Sequence, residues 1–93
     1  MRKPTLERNL YAGRTQRIYR FDNGYGASVI QWNEGVVEEN EPWEIAVIKY
    51  FGDGATDYRI DFGTEIADDL ITGLSDGEVD GWLARIEKLP NEQ

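Results

Sequence analysis

Residues 43–51, WEIAVIKYF, constrain this chain more than any other stretch. Trp43, Ile45, Val47 and Phe51 fall on one parity, and Ala46, Ile48 and Tyr50 on the other. A strand points alternate side chains to opposite faces. Being apolar on both, this one is predicted to be a central strand covered on both sides. A buried central strand needs neighbours to take up its backbone groups, so the rest of the chain must supply them.

Residues 15–33, TQRIYRFDNGYGASVIQWN, supply a hairpin. Ile18, Tyr19 and Phe21 lead in, and Val29, Ile30 and Trp32 lead out, around Asp22-Asn23-Gly24. Asn-Gly favours a two-residue type I′ turn. That loop sets Phe21 against Gly26, Tyr19 against Ser28 and Ile18 against Val29. Gly52-Asp53-Gly54 is a second turn. After it, Tyr58, Ile60 and Phe62 alternate with Asp57, Arg59 and Asp61, the pattern of a strand with one wet face.

Residues 64–73, TEIADDLITG, are predicted to form one short helix or turn. The clearest element covers residues 75–89. Ser75 and Glu78 make the S-x-x-E capping box, and Leu74 and Val79 the hydrophobic staple around it. Val79, Trp82, Leu83, Ile86 and Leu89 then recur at the helical period. Asp76, Glu78 and Asp80 gather at its start and Arg85 and Lys88 at its end, as the helix dipole favours, and Pro90 stops it. At the other terminus, Leu6, Leu10 and Tyr11 fit one helical turn closed by Gly13, or a frayed arm. The expected architecture is α+β: an antiparallel three- to four-stranded β-meander packed against a C-terminal amphipathic helix. Residues 1–14 are read as a basic N-terminal arm and residues 15–90 as a single domain.

Charge divides the chain sharply. Residues 1–20 hold six bases against Glu7, a balance of +5, and residues 21–93 carry −13, giving the net −8 of the 93-residue chain. An anionic body is repelled by DNA phosphate and by anionic lipid, so neither nucleic acid nor membrane is an expected partner. Arg14, Arg17 and Arg20 with Tyr11 and Tyr19 suggest a nucleic-acid arm, but Arg17 and Arg20 fall on opposite faces of a strand. Pairing with acids, the protein's own or a partner's, is the expected use of these bases. No apolar run approaches the ~20 residues that span a bilayer, and a cytoplasmic location fits.

Residue types narrow the chemistry further. There is no Cys and no His, so thiolate chemistry is excluded and neither Ser28 nor Ser75 has the usual base. Asp68 and Asp69 with Glu65 suggest a hard-metal site, but adjacent helical residues point about 100° apart and do not share one ligand. Residues 53–65 resemble a calcium loop only superficially, since Ala55, Tyr58 and Thr64 stand at its ligand and glycine positions. Gly24-x-Gly26 lacks the third glycine of a dinucleotide fingerprint. No enzyme activity, cofactor or metal is expected.

What remains is surface. Carboxylates held over a sheet and helix imitate phosphate, and dock on the basic face of another protein. The candidate contact residues are Glu38, Glu39, Glu41, Asp57, Asp61, Asp68 and Asp69, with Tyr25 and Trp32, alongside Trp43, as exposed aromatic anchors. An assembly role as a homo-oligomer, through sheet edges or helix pairing, is the alternative.

The segment YRFDNGYGASVI at 19–30, then WEIAV at 43–47 and IADDL at 66–70, resembles a group of small bacteriophage-encoded proteins. These show F-D-N-G-Y-G-A-S-V, a W/Y-E-L-A-V strand, and an I-T-D-D-hydrophobic segment before a last acidic helix. The likeness runs over roughly residues 17–89. This chain departs from the group in its longer basic start and in Ala67, where Thr is usual. The resemblance implies a phage setting, in which small acidic proteins bind host or defence proteins. It assigns no activity to any residue.

Overall fold

A computed structural model describes residues 1–10, 14–31, 42–64, 66 and 70–90. Six strands precede one helix: β1 (Leu6–Asn9), β2 (Thr15–Arg20), β3 (Tyr25–Gln31), β4 (Trp43–Tyr50), β5 (Tyr58–Ile60), β6 (Ile71–Leu74) and α1 (Asp76–Glu87). The strands form one antiparallel sheet in the order β1-β2-β3-β4-β5, with β6 also paired to β4. The fold is the expected α+β meander with its C-terminal helix, built from more strands than the sequence suggests.

β4 is central. β3 lies along most of its length on one side; β5 and β6 share the other, pairing Ile48–Tyr50 and Trp43–Ile45 respectively. Its odd-numbered residues Trp43, Ile45 and Val47 join Tyr19, Tyr25, Ala27 and Val29 on the face covered by α1. The helix contributes Val79, Leu83 and Ile86, and Leu74 and Leu89 close the two ends of this core. Each fully buried aliphatic side chain contributes about 1.5–3 kcal/mol. The opposite face carries Ile18 and Ile48, both fully buried, with Gln16, Ser28, Glu44 and Ala46.

α1 begins as its sequence indicates. The Ser75 side chain accepts from the Glu78 N–H, and the Glu78 carboxylate accepts from the Ser75 N–H. Leu74 and Val79 are both buried in the core beneath that cap.

Four local expectations are corrected. The β2–β3 loop has three residues: Phe21 N–H donates to the Tyr25 carbonyl, Gly24 N–H donates to that of Phe21, and Gly24 has φ +84°. This is a turn closed by a glycine in the left-handed region, which shifts the register by one residue. Tyr19 therefore faces Ala27, Ile18 faces Ser28, and Arg20 rather than Phe21 faces Gly26.

Residues 6–9 form an edge strand paired to β2, not a helical turn. Residues 71–74, read as the end of a helix or turn, form β6. Two of its residues oppose one of β4 between the Trp43–Leu74 and Ile45–Ile71 pairs, a bulge that contains Gly73 at φ +70°. The expected strand over 56–62 shrinks to Tyr58–Ile60, and its apolar side is left open, with Ile60 50% and Phe62 46% exposed.

Candidate functional site

An open cleft of about 640 Å³ lies where the start of α1 meets the sheet. Glu7, Arg17, Gln31, Pro42, Trp43 and Asp76 line it. Neighbouring strands deliver most of these, since Glu7 faces Arg17 across β1–β2 and Gln31 faces Trp43 across β3–β4. Arg17 donates through Nε to Glu7 at 2.8 Å, and its guanidinium lies 5.2 Å from the Trp43 ring centre. The Trp43 indole N–H donates to Asp76. Gln31 and Pro42 are the residues that flank segment 32–41, which carries Glu34, Glu38, Glu39 and Glu41. The chain thus leaves this cleft into its acidic connection and returns to it.

The polar groups of the cleft engage one another. Its cation is paired and its indole is hydrogen-bonded. Among the described residues no group of three or more acids, Cys or His is placed to hold a metal ion.

Of the contact residues expected from sequence, Trp32, Glu38, Glu39, Glu41, Asp68 and Asp69 lie outside the described residues. Tyr25 and Trp43 are each only 5% exposed. They are core residues, so the expectation of exposed anchors there is corrected: both sit on the sheet face that α1 covers. Asp57 and Asp61 are partly buried and hold local turns. Asp57 Oδ2 accepts from Gly54 N–H at 3.0 Å, and Asp61 Oδ1 from Gly63 N–H at 2.8 Å. Tyr25 and Asp61 do meet, with Lys49, in a smaller hollow of about 400 Å³ beside Leu89. The Lys49 ammonium stands 5.3 Å from the Tyr25 ring centre there.

At least four of the six early bases are engaged by other groups of the protein. Arg2 bonds Glu87 at 3.1 Å, Arg8 donates to Gln16 at 2.6 Å, Arg17 pairs with Glu7, and Arg20 stacks 4.3 Å from the Tyr50 ring centre. Two of these four meet the protein's own acids, as their expected use requires.

Sequence reading misses a polar chain on the face opposite α1. Gln16, 5% exposed, accepts from Arg8 through Oε1. Its amide nitrogen donates to Ser28 Oγ at 2.8 Å and to the Tyr58 hydroxyl at 3.3 Å. These residues belong to β1, β2, β3 and β5, so no local spacing could reveal them. The one available signal is Gln16 itself, a polar residue two positions before Ile18 on the same parity.

Two tyrosines hold their protons more tightly than usual. Burial raises the Tyr19 phenol, partly offset by nearby Arg17, and its hydroxyl donates to the Arg2 carbonyl. Burial likewise raises Tyr50, with Arg20 opposing, and its hydroxyl donates to the Ala55 carbonyl. No helix among the described residues is long and apolar enough to cross a membrane.

No family model matches the chain, and no curated protein or solved structure is significantly similar to it.

Proposed function

We propose that this chain is a non-enzymatic binding protein of bacteriophage type, which docks on a basic surface of a host or defence protein in the host cytoplasm. The observation that carries this reading is the cleft at the start of α1. The two residues that flank the acidic segment 32–41 line it, and the exposed carboxylates of Glu7 and Asp76 stand on its rim. The engagement of early bases within the molecule supports it as well. Arg2 and Arg17 each pair with a carboxylate of the protein itself, and the chain keeps a net charge of −8 to act on a partner.

Charge of one sign acts at range. It steers a basic partner into encounter and makes association fast and sensitive to salt. Screening shortens that range to about 8 Å at physiological ionic strength.

The test is capture from a lysate of the natural host at low and high salt, with the wild-type chain and a Glu38→Gln/Glu39→Gln/Glu41→Gln variant. A single basic protein retained at low salt, released at high salt and lost with the variant supports the reading. Absence of any partner at low salt, or equal capture by the variant, overturns it.

A further inference from the structure

The outer edge of β5 is open in a way its sequence does not lead one to expect. Asp61 N–H donates to the Val47 carbonyl, and Phe51 N–H to that of Asp57, while Arg59 faces Lys49. In an antiparallel ladder this turns the backbone groups of Asp57, Arg59 and Asp61 toward β4. Those of Tyr58, Ile60 and Phe62 then point the other way, where no strand pairs with β5 among the described residues. Ile60 and Phe62 are also two of the four large apolar side chains left exposed among those residues, at 50% and 46%. An open edge with bare apolar side chains is a template for another strand.

The chemistry of that edge identifies the strand. Tyr58-Arg59-Ile60-Asp61-Phe62 reads aromatic, cation, aliphatic, anion, aromatic. Turned antiparallel on itself about Ile60, it matches at every position. Ile60 meets Ile60, Tyr58 meets Phe62, and Arg59 meets Asp61, each pairing but the first occurring twice. Ile60 and its counterpart form a hydrogen-bonded pair, since their N–H and C=O groups point outward. Arg59 and Asp61 then fall in the closer, non-hydrogen-bonded positions, where side chains interact most strongly.

Other registers are worse. A shift that sets Arg59 against Arg59 also sets Asp57 against Asp61, and like charges directly opposite are unfavourable. A shift that centres on Tyr58 sets Ile60 against Thr56 and Phe62 against Gly54, leaving the apolar surface unmatched.

We propose that two copies of this chain pair through β5 about a two-fold axis at Ile60, joining their sheets into one. The contact is isologous, so it closes at the dimer. This inference does not depend on the acidic-docking reading. Salt separates the two, because it screens the repulsion between two bodies of net −8 and leaves backbone and apolar contacts in place.

Sedimentation equilibrium over a micromolar-to-millimolar series tests it. The wild-type chain is expected to dimerise, and to remain dimeric at the high salt that releases a basic partner. Arg59→Asp and Asp61→Arg each turn two attractive contacts into repulsive ones, and are expected to raise the dissociation constant about tenfold or more. Mixed in equal amounts, these two variants are expected to associate with each other. Positions 59 and 61 are both acidic in the first and both basic in the second, so each cross-strand contact between them joins opposite charges. Ile60→Pro removes an outward N–H without touching the β4 ladder and is expected to abolish pairing, with its circular dichroism unchanged. In the wild-type dimer the Tyr58 and Ile60 amides gain protection from hydrogen exchange. A wild-type monomer throughout the series overturns the proposal. So does a dimer that survives both Arg59→Asp and Ile60→Pro, or a mixture of the charge variants no more associated than either alone.

Discussion

The side-chain amide of Asn23 donates to the Ile86 carbonyl at 2.9 Å, so a residue of the β2–β3 turn closes the C-terminal end of α1 from 63 positions away. The same nitrogen reaches the carbonyls of Glu87 and Leu89 at 3.0 Å, and Oδ1 accepts from the Tyr25 N–H. Helix ends leave their last carbonyls without intrahelical partners, and here a neighbouring turn provides the donor.

Asn23→Ala is therefore expected to destabilise the protein by about 1–3 kcal/mol, measured by urea denaturation. Asn23→Asp keeps the acceptor for Tyr25 but places a negative charge at the negative end of the helix dipole. It is expected to be at least as damaging as alanine at neutral pH.

Gly26 leaves no room for a side chain. A Cβ there would stand 2.1 Å from the Tyr19 carbonyl oxygen and 3.1 Å from the Tyr50 ring. The oxygen is backbone and has no rotamer to move into. Gly26→Ala is expected to cost about 3 kcal/mol, read as a lowered denaturation midpoint with an unchanged slope.

Gln16 ties Arg8, Ser28 and Tyr58 together on the face away from α1. Gln16→Leu fills the space but leaves three polar groups without that partner, at a cost of about 1–3 kcal/mol. A double-mutant cycle of Gln16→Leu with Tyr58→Phe is expected to show coupling, since both changes remove the same hydrogen bond. Additive losses would contradict the bond.

Stability is expected to fall in alkaline solution. Tyr19 and Tyr50 keep their protons in the folded chain above the ordinary value of 10.0. Above that value the unfolded chain binds fewer protons than the folded one, so the unfolding free energy declines as pH rises through the folded values. Tyrosinate absorbance of the native protein should show Tyr19 and Tyr50 ionising above the ordinary value of 10.0. Tyr19→Phe and Tyr50→Phe should each remove one late step.

What was legible in the sequence follows the range of the interactions. The capping box of α1 lies within four residues, Ser75 to Glu78, and the structure reproduces it. The two-sided burial of β4 is written in its own parity and holds from Trp43 to Ile48, but not at Phe51, which lies past the strand and is 73% exposed. The hairpin was visible, but its register was not, because Asp22-Asn23-Gly24 suits both a two-residue and a three-residue loop. β1 carries no alternation, since an edge strand needs none, and Arg8 is held by Gln16 rather than by a period. β6 was hidden because Ile66, Leu70 and Ile71 also fit a helix, and only its pairing with Trp43 and Ile45 decides between them. The candidate site was the least legible part. Its cleft joins Glu7, Arg17, Trp43 and Asp76 from four separate elements, and Tyr25 looks available until α1 is laid over it.

The Arg2 backbone N–H donates to Asp80 at 2.8 Å across 78 positions, and the Arg2 side chain reaches Glu87. Such a clasp closes a ring of almost the whole polypeptide, whose entropic penalty grows only with the logarithm of its length but must be met before any reward arrives. Neighbouring hairpins close far shorter spans, so the clasp is expected to form after the sheet. Fraying of the first two residues then takes partners from Asp80 and Glu87, and loosening of α1 takes the same contacts from Met1 and Arg2.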